Sequence, residues 1–584
     1  MLLHKVAPVT LKRLITFGLF CFPAAQGVHA QGTGLPDPAP EIRRQEGRQD
    51  ELRRQLEQAP TVRLPRGEAA APTRLPESEA ICQRIDEVRF EGLPEAAPAL
   101  ERTLSGPEAN DSPLGRCLGV EALQVLMDRA RNALIAQGFI TSRVEAAPQD
   151  LSLGRLTLQV VPGRIARIHM ASGSSAAPAT RPLSAGEVLN LRDLEQGLEN
   201  LRRNPGAEVD FQLAPGEQAD TTDVQLRFLK PRPLGLNVSL DDTGSRATGK
   251  RLGQTTLSWY GPLGLNDLAY LNATHAVAPA SSRARGNDSQ TLHYSLPWGY
   301  WLWSATASRG DYHQTVVGAF QSYLYSGQTQ SHDLQLSRVV RRDADSKTSL
   351  RLKGFGRESR NFIDDTEVQV QQRRTAGWEA GLQHAQQWGP VSADLDLAFK
   401  RGTGAFGALR APEELFGEGS SRMQIGTGTL SLQWPATASG RVVLNHFFKL
   451  QLNRTPLVAQ DRLCLGGRSS VRGFDGVQSL CGDRGLLWRN DLAVPVSDWP
   501  LSFYIGLDAG RVGGRSAREL PQRWLSGYAL GLRAQHRMTQ STQTNQPTQP
   551  TQLYADFFVG QPISRPTFLQ TASTTTGFSL SLVF

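Results

Sequence analysis

Four cysteines and one glycine-crowded stretch are the residues whose types and spacing could do chemistry in this 584-residue sequence. Cys82 with Cys117, and Cys464 with Cys481, form two local pairs and predict two disulfides in an oxidising compartment. Their spacings are not those of paired CxxC zinc ligands, and no base stands near them to activate a thiol. Residues 453–484 contain Gly466-Gly467-Arg468 and Val471-Arg472-Gly473-Phe474 and run into Gly482-Asp483-Arg484-Gly485, so many glycines that a tightly folded hairpin is expected, closed at its base by Cys464 and Cys481. Other candidate chemistry fails. Gly244 followed by Gly249-Lys250 approaches a phosphate loop, but Arg251 stands where Ser or Thr should bind magnesium. There is no Gly-x-Ser-x-Gly elbow and no paired-histidine zinc motif. The sequence therefore points away from an enzyme, with no catalytic residue, cofactor or metal site expected.

The elements that position these residues begin with a secretory pattern. His4, Lys5, Lys12 and Arg13 precede an apolar stretch over 14–25, and Val28-His29-Ala30 supplies small residues for cleavage, so 1–30 is read as a signal peptide carrying Cys21 away. No later run reaches the roughly 18 apolar residues of a membrane helix, so a spanning protein must be a closed barrel. The net charge of +8 is spread among nearly as many acids, without the basic stripe that nucleic acid requires.

Residues 40–58 are helix-prone and polar on nearly every side, as expected of a helix standing in a water-filled pore or of a charged tail. The segment 31–59 is taken as a helix and 60–80, with Pro60, Pro65, Pro72 and Pro76, as an extended flexible linker. Two small α/β units follow, over 81–163 and 164–231. In the first, Val88-Arg89-Phe90 predicts a strand. Val120, Leu123, Leu126, Met127, Ala130 and Leu134 predict a helix stopped by Gly138, and strands are expected over 140–146 and 156–161. In the second, Asn190 is the expected cap of a helix with Leu191, Leu194, Leu198 and Leu201 on one face, beside strands at 165–168, 209–213 and 224–228.

From 232 to 584 alternation of period two takes over: Leu234, Leu236, Val238 and Leu240 interleave with polar or small residues, as do Val391 to Phe399, Leu430 to Trp434 and Phe578 to Phe584. The alternation alone fits a soluble sandwich or a membrane barrel. The export signal, about sixteen strands and aromatic turns containing Trp298, Tyr300, Trp301, Trp303, Trp388, Trp434 and Trp499 favour the barrel with an interfacial girdle. A Thr/Gln-rich tract over 539–552 stands where a short turn is expected.

Val471-Arg472-Gly473-Phe474, Gly482-Asp483-Arg484-Gly485, Arg489-Asn490-Asp491-Leu492, the stretch 189–201 and the terminal Phe584 together resemble the two-partner secretion transporters (TpsB type, the haemolysin activator/secretion family) of the POTRA-barrel superfamily. The resemblance covers nearly the whole mature chain. It implies a transmembrane antiparallel barrel, two periplasmic POTRA domains, and an N-terminal helix that plugs the pore. It further implies that the hairpin folds into the lumen, with Arg472 meeting Asp508 in the wall motif Tyr504-Ile505-Gly506-Leu507-Asp508, where the family usually carries Phe at the position of Tyr504. Phe584 matches the barrel C-terminal recognition signal. The implied function is capture of an unfolded exoprotein by the POTRA domains and its translocation to the cell surface. The implied partners are a large secreted adhesin, haemolysin or contact-dependent toxin, outer-membrane lipid, and the barrel-assembly machinery. A barrel-assembly insertase and a passive porin or receptor are the alternatives.

Overall fold

The structure, a computed structural model, describes residues 36–57, 61–64, 74–106, 108–175, 183–229, 232–277, 284–318, 320–497, 499–538 and 551–584. The expected signal peptide, part of the expected linker and most of the Thr/Gln tract lie outside the described residues.

Sixteen antiparallel strands, from Leu234–Asp241 to Thr575–Val583, pair each with its sequence neighbour, and the last closes on the first through Ser579–Val583 against Asp241–Asn237. A short flap, Thr366–Glu367, pairs on the edge of the strand Ser346–Ile363. Alternation is inverted relative to a soluble protein. On the strand Leu501–Gly513, Phe503, Ile505 and Leu507 are 41%, 43% and 54% exposed on the outer face, whereas Tyr504 and Asp508 are buried towards the lumen. Only a bilayer makes that outward apolar band favourable, and sixteen strands leave a water-filled interior unless something occupies it. Trp298, Trp388, Trp434 and Trp499 stand exposed at the turns on the side of the two α/β units, as an interfacial belt requires. Tyr300 departs from that expectation: its hydroxyl donates to Asp193 of the second α/β unit, because that unit is docked against this turn.

The first unit pairs Glu87–Glu91 in parallel with Arg155–Val161, which also pairs with Arg143–Glu145. The helix Val120–Gln137 covers this sheet with Ala122, Leu126, Ala130 and Leu134 buried, and Gly138 ends it in the left-handed conformation. Val120, expected on the apolar face, is exposed at the first helical turn. The strand expected at 140–146 shortens to Arg143–Glu145, because residues 139–142 are used to turn the chain back from the helix to the sheet. A helix Ala97–Thr103 and a two-stranded sheet, Gln83–Ile85 with Arg116–Leu118, escaped sequence reading; each is too short for a period to register. The Cys82–Cys117 disulfide lies beside that small sheet.

The second unit orders its strands Arg164–Met170, Thr221–Leu229 and Glu208–Pro215, under a helix Leu191–Arg202. The Asn190 side chain accepts from the Arg192 amide at 2.8 Å, the expected cap, and Leu191, Leu194, Leu198 and Leu201 are buried.

The described parts of the expected flexible linker are docked. Leu75 is buried in the core of the first unit with Ile85, Leu126 and Leu156. Glu79 accepts from the amides of Gly119, Glu121 and Ala122 at 2.8 to 3.0 Å, which caps the helix Val120–Gln137 where Gly119 has no side chain to do so. Proline content alone does not register these anchoring contacts.

Candidate functional site: a hairpin and a helix in the barrel lumen

The loop between the strands Val443–Asn453 and Arg484–Pro495 turns back into the barrel. Its base is a short ladder, Leu463–Leu465 with Leu480–Gly482, in which Cys464 lies opposite Cys481 and is bonded to it. Val471 and Phe474 are buried in one cluster with Leu463, Leu465, Leu480, Val512 and Leu525, so the hairpin carries an apolar core against the wall. Between them the chain aims Arg472 at the strand Leu501–Gly513. Gly473 adopts φ 96°, and a Cβ there would stand 2.3 Å from the carbonyl oxygen of Gln561 on the wall.

Arg472 engages Asp508 with both faces of one fork. Nε donates to Oδ2 at 2.7 Å and Nη2 to Oδ1 at 2.7 Å, while the Arg472 backbone amide donates to Oδ2 at 2.9 Å. Neither side chain is more than 2% exposed. Nη2 also lies 2.6 Å from Asp491. From Asp491 the network runs to Arg533 at 2.8 Å and on to Asp556 at 2.8 Å. Tyr504 donates its hydroxyl to Asp556 at 3.2 Å, and the Arg533 guanidinium stacks 4.0 Å from its ring. The phenol therefore has a use that the usual phenylalanine lacks. Register assembles the set: Asp491 lies opposite Gly506, Asp508 opposite Gly527, and Arg533 opposite Asp556, all facing the lumen. A charge-assisted fork with its carboxylate sealed from water is strongly directional, and breaking one partner of such a pair costs about 3–5 kcal/mol.

The N-terminal helix, Ala39–Glu57, lies within the same lumen. Glu41 accepts from Asn287 at 3.0 Å, Arg357 pairs with Glu46, Arg53 lies 3.4 Å from Asp333, and His293 lies 2.8 Å from Glu57. These partners are on three barrel strands, Arg285–Trp298, Ser322–Arg342 and Ser346–Ile363. Leu52 packs with Tyr260, Leu268 and Tyr270 at the end nearest the second α/β unit. A helix of this length spans about 28 Å, close to the hydrocarbon thickness. Its polar and charged side chains are thus met by polar and charged residues of the wall. Helix and hairpin also touch: Arg44 donates to the Gly476 carbonyl at 2.9 Å, Arg43 to that of Ala459, and Arg357 bridges Glu46 and Asp461, the latter at 3.2 Å.

Residues 220–534 match the haemolysin secretion/activation protein family ShlB/FhaC/HecB, and 84–163 and 176–215 match a ShlB-type POTRA domain and a POTRA domain respectively. The first match covers more than half of the chain. The chain belongs to the haemolysin secretion/activation family. It is 30% identical over 550 residues, 90% of each chain, to the outer membrane transporter CdiB-2 of Burkholderia pseudomallei (strain 1026b). It is 28% identical over 460 residues, 76% of this chain and 78% of the other, to the hemolysin transporter protein ShlB of Serratia marcescens. Among solved structures, CdiB from Acinetobacter baumannii superposes with a TM-score of 0.80 at 28% identity, over 94% of this chain and all of that one. As a member of this family the chain is an outer-membrane barrel transporter with periplasmic POTRA domains.

Within this family member, several lumenal residues carry no sequence signal of their own. Asp491 stood in the motif Arg489-Asn490-Asp491-Leu492 without an assigned partner, and Arg533 and Asp556 lie in ordinary alternating strands. Arg468, beside the hairpin glycines, reaches Asp242 at 2.6 Å and also the Phe578 carbonyl, thereby tying the hairpin to both strands of the closing seam.

Two substitutions test the hairpin without touching a charge. A Cβ at Gly506 would stand 2.4 Å from Nη2 of Arg472. Gly506→Ala is therefore expected to displace the fork and lower export, with the barrel still inserted, as read by surface export and heat-modifiable mobility. Replacing Cys464 and Cys481 by serine opens a loop of sequence separation 17. That should cost the hairpin about 3 kcal/mol of constraint and make the loop cleavable by protease added outside intact cells, whereas the parent resists.

Proposed function

We propose that this transporter exports one large exoprotein in unfolded form, of the adhesin, haemolysin or contact-dependent toxin class, and that the helix Ala39–Glu57 closes the pore between export events. The observation that carries this reading is a sixteen-stranded barrel whose lumen holds two elements that are not part of its wall, a polar helix and a hairpin pinned through Arg472 and Asp508. A passive porin has no use for either, nor for two α/β units at its mouth. The edge strand Glu208–Pro215 of the second POTRA domain has one side without a strand partner among the described residues, as needed for capture of an extended chain by strand addition. With no nucleotide motif in the sequence, folding of the exoprotein outside the cell would supply direction. The test is co-expression with a large exported protein encoded beside this gene. Surface appearance of that protein only when the transporter is present supports the reading; its surface appearance without the transporter contradicts it.

A further inference from the structure

At the barrel mouth, three parts of the chain meet over one face of the helix Leu191–Arg202. Glu195 and Glu199 stand four residues apart on that face, and both are almost wholly buried. Each accepts a backbone amide from the segment 61–64: Leu64 donates to Glu195 at 2.9 Å and Val62 to Glu199 at 3.0 Å. Each also holds Arg342, at the mouth end of the barrel strand Ser322–Arg342, at 3.1 and 2.9 Å. Arg342 completes the triangle by donating to the Val62 carbonyl at 2.7 Å and to Gln196 at 3.1 Å. Lys347 of the next strand pairs with Glu199, and Arg192 with Glu195 at 2.6 Å. Val62 is buried among Leu198, Leu201 and Phe228 of the same POTRA domain. Burial drives the Glu199 carboxyl upward, but Arg342 and Lys347 outweigh it and hold it below the ordinary carboxylate range.

Only residues 58–60 separate this segment from the end of the pore helix, so Glu57 and Thr61 can be no more than about 14 Å apart along an extended chain. The helix end itself is bound to His293, two residues from Ser295, which accepts from Arg203, the residue that follows the POTRA helix, at 2.9 Å. Pore helix and POTRA helix are thus tied to one stretch of barrel wall and to each other through one strap.

We propose that Glu195, Glu199 and Arg342 are positioning residues that clamp the strap 61–64, so that the pore helix stays seated only while the second POTRA domain is docked on the barrel mouth. Lifting that domain would carry the strap with it, because Val62 and the two carboxylates belong to its packing, and would part Arg342 from Glu195, Glu199 and the Val62 carbonyl together. Exoprotein engagement that shifts the domain then draws the strap off the barrel mouth, and with it the plug. The inference rests on the plug reading above, and the experiment separates the two.

The experiment is single-channel recording of the full-length protein in planar bilayers, with Glu195→Gln/Glu199→Gln, Arg342→Ala and Arg342→Lys, each also made in a chain lacking 39–57. The first two are expected to raise the open fraction of the resting channel about tenfold, the loss of roughly one charged hydrogen bond's worth of holding. The lysine variant, which keeps the charge but not the fork, should lie between them and the parent. None should add conductance once 39–57 is absent. If removal of 39–57 opens the channel but the clamp variants stay at the parental open fraction, the clamp is wrong and the plug reading stands. Added conductance in the chain lacking 39–57 would equally overturn the clamp, by showing a distorted barrel mouth. No opening on removal of 39–57 would overturn the plug reading and the clamp with it.

Discussion

Replacing Arg472 with alanine is expected to lower surface export of the exoprotein tenfold or more, while the amount of heat-modifiable barrel in the outer membrane changes less than about twofold. The reason for the split is where the energy resides. The barrel closes through its backbone ladder and its lipid-facing apolar band, to which Arg472 contributes nothing. The hairpin's seat, by contrast, takes its buried ionic contact with the wall from this one residue, through three hydrogen bonds to Asp508. A loss of about 3 kcal/mol shifts a seated-to-unseated ratio by more than a hundredfold. Arg472→Lys should not restore export, because an ammonium cannot hold both carboxylate oxygens in one plane. Asp508→Asn should be milder than Arg472→Ala, since Asp491 still lies 2.6 Å from the guanidinium. Undiminished export by the alanine variant would remove the hairpin from the mechanism.

Deleting residues 39–57 is expected to raise the resting conductance of the purified channel at least severalfold and to sensitise cells to bulky antibiotics that the outer membrane normally excludes. A helix with its side chains is about 10–12 Å across, which is most of what a sixteen-stranded barrel encloses once the hairpin is also inside. The helix is held by dispersed polar contacts rather than by an apolar seam along its length, with Leu52 and Leu56 packing into a small apolar cluster at one end. Each such contact has water as a ready substitute, so the segment can leave without exposing a large apolar face. Unchanged resting conductance after deletion would show that the helix does not seal the pore.

The barrel, the α/β units and the polar helix were legible in the sequence because each rests on a local period: two for the strands, about three and a half for the helix Leu191–Arg202, and none for a helix wet on every side. The hairpin was legible from its glycines, and its partner Asp508 from the family resemblance. Short elements such as Ala97–Thr103 were not, because seven residues carry too little pattern. The docked strap was hidden by its prolines, which describe a linker equally well whether it is free or held.

Local alternation and composition determined that this chain closes into a cylinder with a wet interior, and which stretches could enter it. They could not decide which charges meet. Inward positions of the barrel hold many arginines and carboxylates at equivalent places in the pattern, and a shift of register by two residues would preserve every alternation while changing every pair. Only the closed tertiary structure, with strand stagger and loop entry set together, brings Asp491, Arg533 and Asp556 into line behind Arg472, and Arg342 under Glu195 and Glu199.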